Sequence, residues 1–189
     1  MDKINLGARH FLYPQPAVLA GANVNGKPNY LTIAWSGIMQ ASPALIYVSI
    51  RKQRYTLPGI EENKSFSVNV PSAEQVVQVD YCGIRSGHKI DKSEIFTTFY
   101  GKLENAPMIE ECPINMECRL VKTIDFEGTH MICVGEIVAT YADEKYLTNG
   151  EPDVSKVNPL IFTTDGKYWA FGEEVGKAFE IGKEFENGQ

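Results

Sequence analysis

The sequence predicts a mainly β protein with short helices, built as an antiparallel barrel. Three observations carry this. Strand-like runs outnumber helical ones along the 189 residues. No regular alternation of strand and helix appears, which a parallel sheet would require. The longest patterned segment, residues 114–126, repeats its apolar positions every second residue, the period of a half-buried strand. One domain over residues 1–172 is expected, with 173–189 as a C-terminal tail, and the length suffices to bury a sizeable core.

In chain order, Ala17 to Ala22 reads as the first clear strand. Asn25-Gly26 follows as a tight-turn dipeptide. Tyr30 to Trp35 returns as the partner and runs into Gly37. Leu45 to Ile50, rich in β-branched and aromatic residues, is a third strand. A short helix is expected from Tyr55 to Glu62, with Thr56 suited to cap it, then a fourth strand over Ser65 to Val70. Ser72-Ala73-Glu74-Gln75 fits a capping box that opens a helix running to about Tyr81. The polar, glycine-containing stretch from Gly83 to Lys92 reads as a functional loop. Ile114, Met116, Cys118 and Leu120 then alternate with Asn115, Glu117 and Arg119. Glu127-Gly128 turns that strand, and His130 to Tyr141 is its return. A last pair, Leu160 to Thr163 and Tyr168 to Phe171, turns at Asp165-Gly166.

Composition narrows function by exclusion. With 18 Lys plus Arg against 24 Asp plus Glu, the net charge is -6. A non-specific nucleic-acid binder needs the opposite sign to displace counterions. Hydrophobic content of 43% with 22% charge rules out wholesale disorder. Met1-Asp2-Lys3-Ile4-Asn5 lacks the basic and apolar regions of a signal peptide. Apolar runs such as Pro43 to Val48 fall far short of the ~20 residues of a spanning helix. A cytoplasmic protein without membrane contact is therefore expected, with Cys82, Cys112, Cys118 and Cys133 as reduced thiols.

Common catalytic patterns are missing. Cys112, Cys118, His130 and Cys133 have metal-ligand chemistry but not zinc-site spacing, and alternation makes Cys118 a core residue, so no metal is expected. Neither a GxSxG elbow nor a GxxxxGK[ST] or GxGxxG phosphate loop occurs. What remains is a distributed set of polar and aromatic groups at strand ends. Asn29 to Ser36 carries Tyr30, Thr32 and Trp35. Arg51, Lys52 and Arg54 form a basic turn just before an expected helix start, which is either a solvated cluster or an anion site. Ser86 to Lys92 adds further donors.

Taken in order, several segments resemble the flavin reductase-like family, and flavoredoxins most closely. They are Tyr13-Pro14-Gln15-Pro16-Ala17-Val18, Asn29 through Gly37, Pro43, Val48-Ser49-Ile50-Arg51-Lys52 and Tyr55-Thr56. Phe66-Ser67-Val68-Asn69, Asp80-Tyr81-Cys82-Gly83, Ser86-Gly87 through Asp91-Lys92 and Ala106-Pro107 through Glu117-Cys118 continue the match. The resemblance implies a six-stranded antiparallel split β-barrel that binds FMN, works as a homodimer and passes electrons through the non-covalent flavin. It implies that Trp35, Thr32 and Ala34 border the isoalloxazine ring, and that Ser49, Arg51 and Thr56 sit near the phosphate. Ser86 and Lys92 would close over it. His130 would touch the flavin from its turn, Phe162 or Trp169 would add an aromatic wall, and Asn29, Ile33, Ile50 and Tyr55 would complete the cofactor-binding set.

Such a protein needs no catalytic side chain, because the chemistry happens at the flavin. The electron donor is either NAD(P)H, as in a flavin reductase, or a redox partner protein, as in an electron carrier. Two other readings compete. One is an OB-type β-barrel module gripping single-stranded nucleic acid, which the acidic balance opposes. The other is a flavin-free structural relative.

Overall fold

In the computed structural model, which describes residues 2–187, the short strand β1 (Gln15–Pro16) leads into β2 (Val18–Val24). Asn25 at φ 51° and Gly26 at φ 76° then turn β2 onto β3 (Lys27–Ile33), as an Asn-Gly hairpin requires. There follow β4 (Ser36–Gln40), β5 (Leu45–Arg51), α1 (Thr56–Asn63), β6 (Ser65–Val70) and α2 (Val76–Ile84). After β7 (Thr98–Phe99) and β8 (Met108–Ile109) comes the long hairpin β9 (Ile114–Asp125) and β10 (His130–Ala142). The chain finishes with β11 (Leu147–Thr148), β12 (Glu151–Pro152), α3 (Val154–Val157), β13 (Ile161–Thr163), β14 (Lys167–Trp169) and α4 (Lys183–Asn187).

Seven strands form one antiparallel sheet in the order β3-β2-β6-β9-β10-β5-β4. The seventh, β4, extends the six-stranded expectation. It pairs Ser36 with Val48 and Ile38 with Ile46, taking the outer edge of β5. The sheet curls but does not close. β3 holds one end of the sheet and β4 the other, joined only by Ala34-Trp35. Beyond Val48, β5 has no β4 partner except one bond from the Ser49 amide to the Trp35 carbonyl at 2.8 Å. Ser49 and Arg51 therefore face the free edge of β3 across an opening in the barrel.

Two apolar clusters hold this frame. Inside the curled sheet, Val18, Ala20, Leu31, Ile33, Val48, Ile50, Phe66 and Cys118 pack with Leu57 and Ile60 of α1. On the outer face, Leu19 and Tyr30 pack with Val79 and Cys82 of α2, Phe96, Ile109 and Leu160. Because β2 is covered on both faces, all seven of its residues are buried, which hides the period-two signal. Gly135 sits at a β-bulge of β10, where an added Cβ would strike the Phe66 ring and Cys118.

Local details differ from expectation in instructive ways. Ser72 and Gln75 do make the reciprocal capping box, but it closes a 3-10 turn over Ala73–Gln75 before α2 begins. Thr56 is the first residue of α1 and does not cap it; its hydroxyl is taken by the Asn29 side chain at 2.8 Å. The four cysteines are free and buried, and burial raises each thiol pKa, to about 11 for Cys82 and about 12 for Cys133. Among the described residues no helix is long and apolar enough to cross a membrane. The last two positions of the expected 173–189 tail lie outside the described residues.

Candidate functional site

The opening between β3 and β5 is a cleft of about 360 Å³. One wall is Leu31 through Trp35, and the other is Ser49, Arg51 and Arg54 with His130; Phe162, Thr164 and His10 complete it. β10 pairs His130 with Arg51, which brings the imidazole to the mouth of the barrel. There it stacks on Trp35, with ring centroids 4.7 Å apart and planes at 30°. His10, from the exposed N-terminal arm, meets the same indole edge-on at 5.1 Å. Thr129 Oγ1 lies 2.8 Å from His130 Nδ1. Burial, and then the charge of Arg51, lowers the His130 pKa, favouring the neutral ring. Among the described residues no carboxylate lines the cleft, so Arg51 and Arg54 set its potential.

Through Leu31 and Arg54 the cleft adjoins a small basic cradle, where Thr56, Arg85, Ser86, Gly87 and Lys92 converge with Asn29 and Tyr55. Lys92 is 2% exposed, and its ammonium donates to the Tyr30 carbonyl at 2.9 Å and the Cys82 carbonyl at 2.7 Å. Burial lowers its pKa. Asn29 gives its Nδ2 to Thr56 and leaves Oδ1 buried without a protein partner. Gly87 has to be glycine: a Cβ there would run into the Tyr55 ring and Asn29 Oδ1.

The residues expected from sequence thus fall into two adjoining groups. Thr32, Ile33, Ala34, Trp35, Ser49, Arg51, His130 and Phe162 line the cleft; Asn29, Tyr55, Thr56, Ser86 and Lys92 line the cradle. Two expectations, Ile50 and Trp169, need correction. Ile50 joins neither group, since alternation along β5 turns its side chain into the barrel core. Thr32 keeps its place in the cleft wall, while its hydroxyl donates to the Val79 carbonyl of α2. Trp169 is outside the cleft, its indole N–H bonded to Thr163 Oγ1 at 3.0 Å, so Phe162 is the aromatic on that side. Lys52 is paired with Asp125 at 2.7 Å.

Sequence reasoning underrated Arg54 and missed Arg85, His10, Leu31 and Thr164. Arg85 was findable, because it ends α2 immediately before Ser86. His10 was not, because nothing in the N-terminal arm's composition signals where it lies.

An aromatic, mostly uncharged slot opening onto a basic cradle suits a planar ring that carries an anionic tail. Among the described residues no group of three or more His, Cys, Asp or Glu side chains is gathered as for a metal. The chain belongs to the flavin reductase-like family: residues 9–170 match the model of the flavin reductase like domain. It is 46% identical to the flavoredoxin of Methanosarcina acetivorans, covering 98% of this chain and 100% of that one, with a TM-score of 0.95. Against the flavoredoxin of Desulfovibrio vulgaris (Miyazaki F) the identity is 38%, with 96% and 100% coverage and a TM-score of 0.89. A protein of Archaeoglobus fulgidus is 37% identical over 148 residues, 77% of this chain and 81% of that one.

Proposed function

We propose that this chain is an FMN-binding redox protein, with the isoalloxazine ring in the cleft and the phosphate in the cradle. The observation that carries the reading is the continuity of the two sites through Leu31 and Arg54. The donor set suits the group: cations and small hydroxyls gather at one end, while aromatic and apolar walls form the other. Bound FMN supplies hydride and single-electron chemistry that no side chain in the cleft offers.

The chain's own residues bind and orient. Trp35 and Phe162 offer ring surface, and Arg51 and Arg54 hold positive potential along the cleft. Arg85, Ser86 and Thr56 supply phosphate donors. Lys92 spends two of its N–H groups on carbonyls, so it acts chiefly as a fixed charge beneath the cradle. The space between these side chains is about 10 Å³, one water's worth. Arg85 is exposed and Arg54 half-buried, so these two side chains would have to move aside to admit a phosphate.

Two chains acting as a homodimer in the cytoplasm complete the proposal. The electron donor is NAD(P)H or a redox partner protein meeting the cleft mouth. Anaerobic mixing of the FMN-loaded chain with NADH and with NADPH, followed by flavin absorbance, separates the two. Bleaching within seconds assigns a nicotinamide donor, and a persistent yellow colour assigns the protein donor. A chain that takes up no FMN at micromolar concentration contradicts the whole reading.

A further inference from the structure

A groove of about 360 Å³ lies where α1 ends, β6 begins and the chain passes from residue 102 to residue 105. It shares no residue with the cleft or the cradle. The helix α1 keeps it apart from them. Thr56 at its first position belongs to the cradle and Asn63 at its last to the groove, roughly 10 Å along the axis.

The groove has a fixed floor. β6 pairs with β9 so that Ser65 stands opposite Arg119, on the face away from Phe66 and Cys118 of the barrel core. The 102–105 segment is pinned over this face. The Lys102 and Leu103 amides donate to Glu117, and Asn105 Oδ1 accepts from Asn23 Nδ2 at 3.3 Å. Ser65 is left 5% exposed in the groove wall, its Oγ buried and without a protein partner. A buried hydroxyl calls for one.

Around it the lining carries three cations, Lys64, Lys102 and Arg119, against one carboxylate, Glu104. Arg119 is held by Glu136 at 3.1 Å, whereas neither lysine is ion-paired among the described residues. Asn63 Nδ2 donates to the Gly59 carbonyl at 2.7 Å, and the Lys64 carbonyl accepts from the Leu120 amide at 2.8 Å. Both bonds blunt the negative end of α1 beside the groove.

We infer that this groove is an anion site for a phosphoryl group, separate from the flavin site. Two lysines supply point charges and Ser65 a single O–H, a donor set that suits tetrahedral phosphate oxygens. The planar fork that would pair with a carboxylate is already taken by Glu136. The volume is that of a small-molecule pocket, leaving room for a phosphate ester beyond the anion.

The test is the melting temperature of the full chain against pyrophosphate, with and without saturating FMN, using sodium chloride at matched ionic strength as the blank. Tm should rise saturably with pyrophosphate in both series, because FMN fills the cradle and not the groove. Lys64→Ala and Lys102→Ala should each raise the apparent dissociation constant about three- to tenfold, and Ser65→Ala about tenfold. Ser65→Ala should not lower the Tm of the ligand-free chain, since its hydroxyl has no protein partner to lose. FMN affinity, read by flavin fluorescence, should be the same in all three variants. The site is overturned if sodium chloride alone reproduces the rise, if FMN abolishes it, or if the three variants keep the parent's dissociation constant. Citrate binding as tightly as pyrophosphate overturns the phosphoryl assignment. A chain that takes up no FMN contradicts the flavin reading alone, and the series without FMN then decides this inference.

Discussion

Trp35 stands between two imidazoles, stacked on His130 and edge-on to His10, with 36% of its surface still exposed at the cleft. An aromatic wall contributes burial and stacking of about 1–3 kcal/mol to a bound ring. Trp35→Ala should therefore raise the FMN dissociation constant by about five- to 150-fold in a fluorescence titration. Unchanged affinity in a folded variant would make Trp35 a packing residue only. His130 gives a pH signature. Burial, then Arg51, lowers its pKa from 6.5, so the unfolded chain takes up the proton first. Stability is then intact above about pH 6.5 and erodes as pH falls toward the folded value. His130→Gln removes that erosion. The Tm of the parent should fall relative to the variant between about pH 7 and about pH 5; a gap independent of pH would contradict the assignment.

At the scale of elements, the β9–β10 hairpin is held to the preceding loop by one buried carboxylate. Glu117 is fully buried; its Oε1 accepts from the Lys102 amide at 2.9 Å and the Tyr141 hydroxyl at 2.7 Å, and its Oε2 from the Leu103 amide at 2.7 Å. Glutamine has one acceptor oxygen, so Glu117→Gln sets an amide N–H against a backbone N–H. Urea unfolding should show a loss of about 1–3 kcal/mol, and an unchanged midpoint would show the clamp to be dispensable. The elements were legible in proportion to their patterning. Ser65–Val70 was readable from sequence over its full length, and the 114–125 strand by its alternation. Ser36–Gln40 was not readable, because its Ser-Gly start reads as a turn and adjacent Ile38 and Met39 are both exposed. That strand exists because β5 offers it an edge, a tertiary cause with no local signal. The bulges of β10 at Val134/Gly135 and Ile137/Ala139 have the same origin.

At the scale of the whole molecule, about half of the large exposed apolar side chains of the described residues lie on two arms. Ile4, Leu6 and Leu12 lie on the N-terminal arm; Val175 at 92% and Phe179 at 96% exposure, with Phe185, lie on the C-terminal one. A second copy of the chain can cover such arms and the open edges of the sheet. Light scattering at micromolar concentration should give a mass twice that of the chain, and truncation after Phe171 should shift the equilibrium toward monomer. A monomer that keeps tight FMN binding would contradict a shared arrangement. The spatial grouping of the candidate residues was legible at this scale through ordered resemblance, since β3, the start of α1 and the 85–92 loop supply the cradle from segments far apart in sequence. Side-chain commitments were not legible. Nothing in the sequence says that Lys92 points to two carbonyls, that Ile50 faces the core, or that His10 folds back onto Trp35. The central claim is one ligand spanning cleft and cradle, and it is tested most directly by titrating the chain with FMN and with riboflavin side by side. The two share ring and ribityl chain, so the gap in affinity reports the cradle alone. Two hydrogen bonds to a charged phosphate, at about 1.5–3 kcal/mol each, correspond to a preference for FMN of about a hundredfold or more. Equal affinity for the two would contradict the account.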